Sequence, residues 1–156
     1  MIEYAIGTSD QVLVFTDSVL DHFKRYRQTR CWHREAGGQL FAKLYSERII
    51  IEEATGPRRT DRRTRTSYIP DRIAEQAEID QRYPRNLHYI GDWHTHPEAI
   101  PRPSPTDIAS MIDCFKKSKH TLNAFILVII GQLALPAALH VSLHDGQSWY
   151  PITALG

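Results

Sequence analysis

Apolar residues along the chain fall into short runs with two periodicities. Val12 to Phe15 is an unbroken apolar run and predicts a strand over Gln11 to Phe15. Val19, Leu20, Phe23 and Tyr26 recur at helical spacing, which predicts an amphipathic helix from Ser18 to about Gln28, capped by Thr16 or Asp17. Gly37-Gly38 then punctuates the chain. Gln39 to Tyr45 and Arg48 to Ala54 read as strands paired around a turn at Ser46-Glu47. The β-branched run Ile49 to Ile51 marks the second as buried and central. Asp71 caps a second helix running to about Tyr83, with Ile73, Ala74 and Ala77 on one face. His88 to Trp93 returns as a strand. A third helix spans Thr106 to Lys117, with Ile108, Met111, Ile112 and Phe115 on its apolar face. Phe125 to Ile130, Ala138 to Leu143 and Ser148 to Ile152 complete the chain as strands. Strands alternate with helices but also follow one another directly, so the expected class is α/β with a mixed sheet.

One segment breaks the pattern. Gly56 to Ser67 carries Arg58, Arg59, Arg62, Arg63 and Arg65 with no large apolar residue. It is expected to be a mobile loop. A length of 156 residues suits one domain, and no repeat or linker divides residues 1–156. The formal net charge is only +1, so no global field draws the chain to nucleic acid or an anionic membrane. The longest apolar run, Ala124 to Ile130, is too short to span a bilayer. The first residues lack the basic start and apolar block of a signal peptide, so a cytoplasmic protein is expected. Cys31 and Cys114 form neither a disulfide framework nor a zinc knuckle and are expected as reduced thiols in or near the core.

Histidine is frequent, at 8 residues, and two of them cluster in Gly91-Asp92-Trp93-His94-Thr95-His96-Pro97. Residues two apart on a strand share a face, so His94 and His96 can hold one metal ion. Pro97 stops the strand, and Ser104-Pro105-Thr106-Asp107 follows. That segment reads equally well as a helix start, with Ser at the N-cap, Pro at N1 and an acid at N3. The two readings are compatible, because the cap would hold Asp107 near the imidazoles. Two His and one carboxylate leave one tetrahedral position of zinc open, as a catalytic site requires.

His94-x-His96-Pro97, seven further positions to Ser104, then Ser104-x-x-Asp107 resembles the JAMM signature of the MPN+ metallopeptidases. Glu35-Ala36-Gly37-Gly38 matches the family's upstream glutamate context. The resemblance implies a JAB (MPN) domain: a curved mixed sheet flanked by helices, similar to cytidine deaminases. It implies one zinc ion per chain, held by His94, His96 and Asp107. It makes Glu35 the general base and Ser104 the hydrogen-bond donor to the oxyanion. The deaminases themselves lack support, since HxE and PCxxC are absent.

The wording of these segments is similar to bacterial JAB-domain proteins, some of them encoded in CBASS anti-phage systems. That implies an isopeptidase acting on a ubiquitin-like protein or its conjugate, including a nucleotidyltransferase conjugate. Two alternatives remain open: a peptidase processing a sulfur-carrier protein or a small amide, and an MPN scaffold without catalysis. The intact Glu35, His94, His96, Ser104 and Asp107 set opposes the second. Arg62, Arg63 and Arg65 are candidates for gripping an acidic partner surface, although a solvated loop accounts for them equally. The near-zero charge and the lack of a stacking platform disfavour nucleic acid. Trp93 reads as core, Trp32 as rim or core. The remaining His lack ligand spacing, with His88 the nearest exception because it shares a strand with the pair.

Overall fold

A computed structural model describes all of residues 1–156. Its strands are β1 (Ile2–Ala5), β2 (Val12–Phe15), β3 (Gly37–Leu44), β4 (Arg48–Ala54), β5 (Arg62–Arg63), β6 (Tyr68–Ile69), β7 (His88–Thr95), β8 (Phe125–Ile130), β9 (Leu139–His144) and β10 (Trp149–Ile152). Its helices are α1 (Asp17–Arg25), α2 (Arg72–Arg82) and α3 (Pro105–Lys117). Eight strands form one sheet in the order β1-β2-β4-β3-β7-β8-β9-β10. The β2–β4 and β7–β8 pairs are parallel and the others antiparallel. This is the expected mixed α/β class.

The sheet curves until its edges meet. Tyr4 bridges Ala154, and Leu155 N donates to Glu3 O at 2.8 Å. That contact occupies backbone groups which an open edge would expose.

Alternation across β8 builds two cores. Ile126, Val128 and Ile130 face α1, where Val19, Leu20 and Phe23 pack on Leu13, Phe15 and Trp93. Phe125, Leu127 and Ile129 face α3 through Met111. With both faces covered, β8 can be continuously apolar, as its sequence is. Trp93 is core, at 1% exposure.

Several expectations need correction. The chain starts with β1, which four residues were too few to announce. The first helix ends at Arg25, short of Gln28. The third strand begins at Gly37, so the two glycines open it. A Cβ at Gly38 would run into the Thr55 carbonyl, which lets the neighbouring backbone approach closely. On α2, Ile73 is 85% exposed and Ala77 is exposed, so the apolar stripe does not face the sheet. That helix docks by charge: Glu78 meets Arg58, and Arg82 Nε donates to Glu53 at 2.7 Å. Cys114 packs against the second core as expected, but Cys31 is exposed and lies away from both.

The arginine segment is an ordered hairpin. β5 pairs with β6 through Arg62↔Ile69 and Arg63↔Tyr68. Arg58 anchors it, donating to both Glu78 oxygens while also pairing with Asp61. Its side chain is only 9% exposed, and that of Asp61 is fully enclosed. Asp61 also accepts from Tyr68 Oη at 2.7 Å and from Asp71 N at 2.8 Å. No helix of the fold is long and apolar enough to cross a membrane.

Candidate active site

The site lies where the start of β3 meets the end of β7. The antiparallel register Gly37↔His94 and Gly38↔Trp93 continues one step further, with Thr95 N donating to Ala36 O at 2.8 Å. The same register sets Glu35 opposite His96. His94 and His96 fall on one face of the strand and Thr95 on the other.

Pro97 ends β7, and the chain turns into α3. Ser104 Oγ accepts from Asp107 N at 3.1 Å, and Asp107 Oδ2 accepts from Ser104 N at 2.8 Å. This capping box fixes Asp107 over the histidines. Its Oδ1 is 3.2 Å from His94 Nε2 and its Oδ2 is 3.3 Å from His96 Nε2. The two Nε2 atoms are 3.1 Å apart. The rotamer that caps the helix thus also brings both Asp107 oxygens against the imidazoles.

These spacings test the fit of a metal ion. A tetrahedral site with bonds of ~2.0–2.1 Å has donors about 3.3 Å apart. The two Nε2 atoms are spaced near that edge length, and Asp107 sets a different oxygen against each, Oδ1 on His94 and Oδ2 on His96. Glu35 joins the two histidines in a cluster whose ligand atoms all lie within 4.8 Å of one another. His96 Nδ1 lies 2.8 Å from Glu98 Oε1, so a carboxylate orients the ring from behind.

Electrostatics follow the crowding. Burial raises the pKa of Glu35, opposed by the charges of His94 and His96. Burial also works against ionised Asp107, but hydrogen bonds to both imidazoles hold its carboxyl well below the usual range. For His96, burial opposes the charged ring, and the Asp107 contact reverses that into a net rise.

A small cavity of about 120 Å³ opens beside the cluster, lined by Glu35, His94, Asp107, Trp93 and Met111. Glu75 and Asp92 also line it. Burial, then the Asp92 charge, pushes the Glu75 pKa up. A larger groove of about 1020 Å³ lies between α2, the start of β7 and the C-terminal half of α3 and contains none of the clustered residues.

The backbone of Glu35 is held from both sides. Its N donates to Thr64 O at 2.7 Å, and its carbonyl accepts from Arg63 Nε at 2.8 Å. Arg65 Nη1 caps Cys31 O at 2.8 Å and Arg30 O at 3.2 Å. Arg62 points to solvent. Thus Arg63 and Arg65 support the loop that carries Glu35, while Arg62 stays free. His88 bonds Asn86 Oδ1 at the far end of β7 and does not join the cluster.

Residues not singled out from sequence also converge here. Buried Gln28 accepts from Thr95 Oγ1 at 2.8 Å and donates to Arg65 O at 2.7 Å. Thr95 Oγ1 in turn accepts from Ala36 N at 2.9 Å. On β9, His140 pairs with Ile129, the neighbour of His94, and a hydrogen-bonded row with contacts of 3.0 and 2.8 Å leads from it through Ser142 away to His144. The period-two spacing of that row is visible in the sequence. Gln28 carries no such signal, because its partners are distant in the chain.

Comparison with known proteins agrees with this geometry. The family described as prokaryotic homologs of the JAB domain matches residues 17–149. A CD-NTase/cGAS isopeptidase of Pseudomonas aeruginosa is 28% identical over 155 residues, covering 97% of this chain and 98% of the relative. A protein of the same name from Escherichia coli is 31% identical over 110 residues, covering 69% of this chain and 70% of the relative. A probable metalloprotease of Sinorhizobium fredii is 42% identical over 82 residues, covering 49% of this chain and 50% of the relative. Among solved structures, a Desulfitobacterium hafniense protein superposes with a TM-score of 0.62 at 17% identity. It covers 89% of this chain and 88% of that one, and the likeness is one of fold. With the family matched from α1 to the start of β10, this chain belongs to the prokaryotic homologs of the JAB domain.

Proposed function

We propose that residues 1–156 form one zinc-dependent isopeptidase domain. It hydrolyses the amide bond at the C-terminus of a ubiquitin-like protein or its conjugate. A nucleotidyltransferase conjugate in a CBASS-type anti-phage pathway is the leading substrate, supported by the names of the isopeptidase relatives. The cytoplasm would keep Cys31 and Cys114 as free thiols.

The observation that carries this reading is the buried Glu35 carboxyl clustered with the imidazoles of His94 and His96, which Asp107 also meets. His94, His96 and Asp107 would hold one zinc ion. Zinc, when bound, polarises a carbonyl and lowers the pKa of a coordinated water to near ~7. Glu35 takes the proton from the attacking water and delivers it to the leaving amine. Burial raises its pKa, which strengthens it as a base. Ser104 Oγ accepts from Asp107 N, so its own O–H remains free to donate to the oxyanion. Arg62, with Arg63 and Arg65 beside it, is proposed to engage the protein substrate.

The test offers zinc-loaded protein two substrates: a ubiquitin-like protein fused to a reporter, and a bacterial nucleotidyltransferase carrying the same reporter at its C-terminus. Intact mass gives the cleavage position. Cleavage at the junction, lost in Glu35→Gln, supports the reading. Intact fusions after prolonged incubation overturn it.

A further inference from the structure

The arginines of this fold are divided in two. Arg48, Arg58, Arg72, Arg82 and Arg85 each hold a carboxylate. Nine hold none: Arg25 on α1, Arg27, which donates to the Leu133 carbonyl, Arg102 ahead of α3, and the six Arg30, Arg34, Arg59, Arg62, Arg63 and Arg65. All six lie on the loop before Glu35 or on the turn and hairpin bonded to that loop. The only acid inside the hairpin segment, Asp61, is enclosed and engaged by Arg58 and Tyr68. A chain of net charge +1 therefore carries an uncompensated cationic rim at the entrance to its catalytic cluster.

The rim also carries an apolar anchor. Trp32 is 71% exposed, and the Arg30 guanidinium sits 6.0 Å from its ring centroid. The loop presenting it is fastened: Arg65 caps the Cys31 and Arg30 carbonyls, and Gln28 bonds the Arg65 carbonyl. Like charges gathered on an exposed face repel one another, and an uncovered indole leaves apolar area in water. An acidic polypeptide relieves both, and Trp with Arg are the side chains that dominate protein interfaces.

We infer that Trp32, Arg30, Arg34 and Arg62 form a docking surface for an acidic stretch of the protein substrate next to the scissile bond. Its location at the scissile bond rests on the isopeptidase reading. The surface favours polypeptide over nucleic acid because it offers one exposed aromatic ring, whereas single strands are gripped by successive stacked bases. Two arginines of the rim already spend donors on the protein's own carbonyls, Arg63 on Glu35 and Arg65 on Arg30 and Cys31. Recognition therefore falls mainly on Arg30, Arg34 and Arg62 beside Trp32, and the hairpin supplies a fixed platform for them.

The experiment measures fluorescence anisotropy of a labelled ten-residue peptide rich in Asp and Glu, titrated with full-length Glu35→Gln protein. No hydrolysis is involved, so the outcome is separate from that of the cleavage assay. The expected result is saturable binding that weakens with salt and falls about tenfold or more in Arg34→Glu/Arg62→Glu and in Trp32→Ala. Thermal melts check that these exposed substitutions leave the fold intact. Lys116→Glu/Lys119→Glu, the same charge change on the α3 end, is expected to leave affinity within about twofold. Equal loss in both double variants would make the effect one of net charge and overturn the proposal. Undiminished binding in Arg34→Glu/Arg62→Glu would overturn it too. So would tighter binding of single-stranded DNA of equal charge.

Discussion

Thr95 Oγ1 donates to Gln28 Oε1 at 2.8 Å, across 67 positions of sequence. Thr95 is the residue between the two clustered histidines, and its hydroxyl also accepts from the peptide that follows Glu35. One hydroxyl thus joins the strand of the two histidines to the loop carrying the proposed base. Thr95→Val leaves Ala36 N–H and the Gln28 amide oxygen buried without partners, at about 1–3 kcal/mol each. The expected result is a lower denaturant midpoint that Thr95→Ser largely restores. Equal midpoints for the Val variant and the unmodified protein would remove Thr95 from this role.

Glu35→Gln keeps the shape of the side chain and removes the base. Turnover is expected to fall ~10²–10⁴-fold, with zinc content, read by elemental mass spectrometry, unchanged. Loss of zinc in this variant would instead make Glu35 a ligand.

Ser104 combines two duties that substitution can separate. Ser104→Ala loses both the helix cap, about 1 kcal/mol, and the free hydroxyl proton. Ser104→Asp keeps a cap acceptor but has no proton to donate near neutral pH. If the oxyanion role holds, both variants lose ~10²–10³ in turnover, while only the Ala variant melts earlier for want of a cap. Normal turnover in the Asp variant would leave Ser104 a capping residue alone.

Metal removal should be visible in stability. At a free zinc concentration 100 times its Kd, binding adds about 2.7 kcal/mol. For a chain of this size, stripping the ion should lower Tm by roughly 5–10 °C. Calorimetry with and without chelator reads this directly. His94→Ala should abolish the difference, and a chelator-insensitive melt of unmodified protein would contradict the ligand assignment.

His144 supplies a pH dependence. It is fully buried on β9, and burial, reinforced by the His140 charge, pushes its pKa down to about 4 from 6.5. The folded protein thus resists protonation that the unfolded chain accepts. The resulting stability is present above pH ~6.5 and is lost as pH falls towards ~4, by up to roughly 3 kcal/mol. His144→Gln should flatten Tm against pH in that window relative to unmodified protein. Parallel profiles would rule this out.

The parts of the site that were legible in sequence are local. Period two along β7 placed His94 and His96 on one face, and the Ser104 to Asp107 spacing is itself a helix cap. Glu35 was visible through the match of its Gly37-Gly38 context. What sequence hid is long-range and polar. The inward face of α2 is held by Glu78 and Arg82, so apolar periodicity pointed to the wrong side. The arginine segment reads as solvated until Glu78, in a different element, meets Arg58. Gln28 acquires its meaning from Thr95, Arg65 and His33 at once, and no spacing rule links them.

The buried Arg58 also bears on how this protein can change over generations. Arg58 ties the hairpin to α2 and Asp61, whereas Arg34, Arg59 and Arg62 make no ion pair with the protein itself. Substitutions at the outward positions can therefore retune which partner is accepted while leaving folding untouched. Substitution at Arg58 would take the cation from the mostly buried Glu78 carboxylate and leave enclosed Asp61 to its neutral donors, a loss on the order of 3–5 kcal/mol. The fold separates a fixed mooring from an adaptable recognition face, and new specificities are open to it by single exposed replacements.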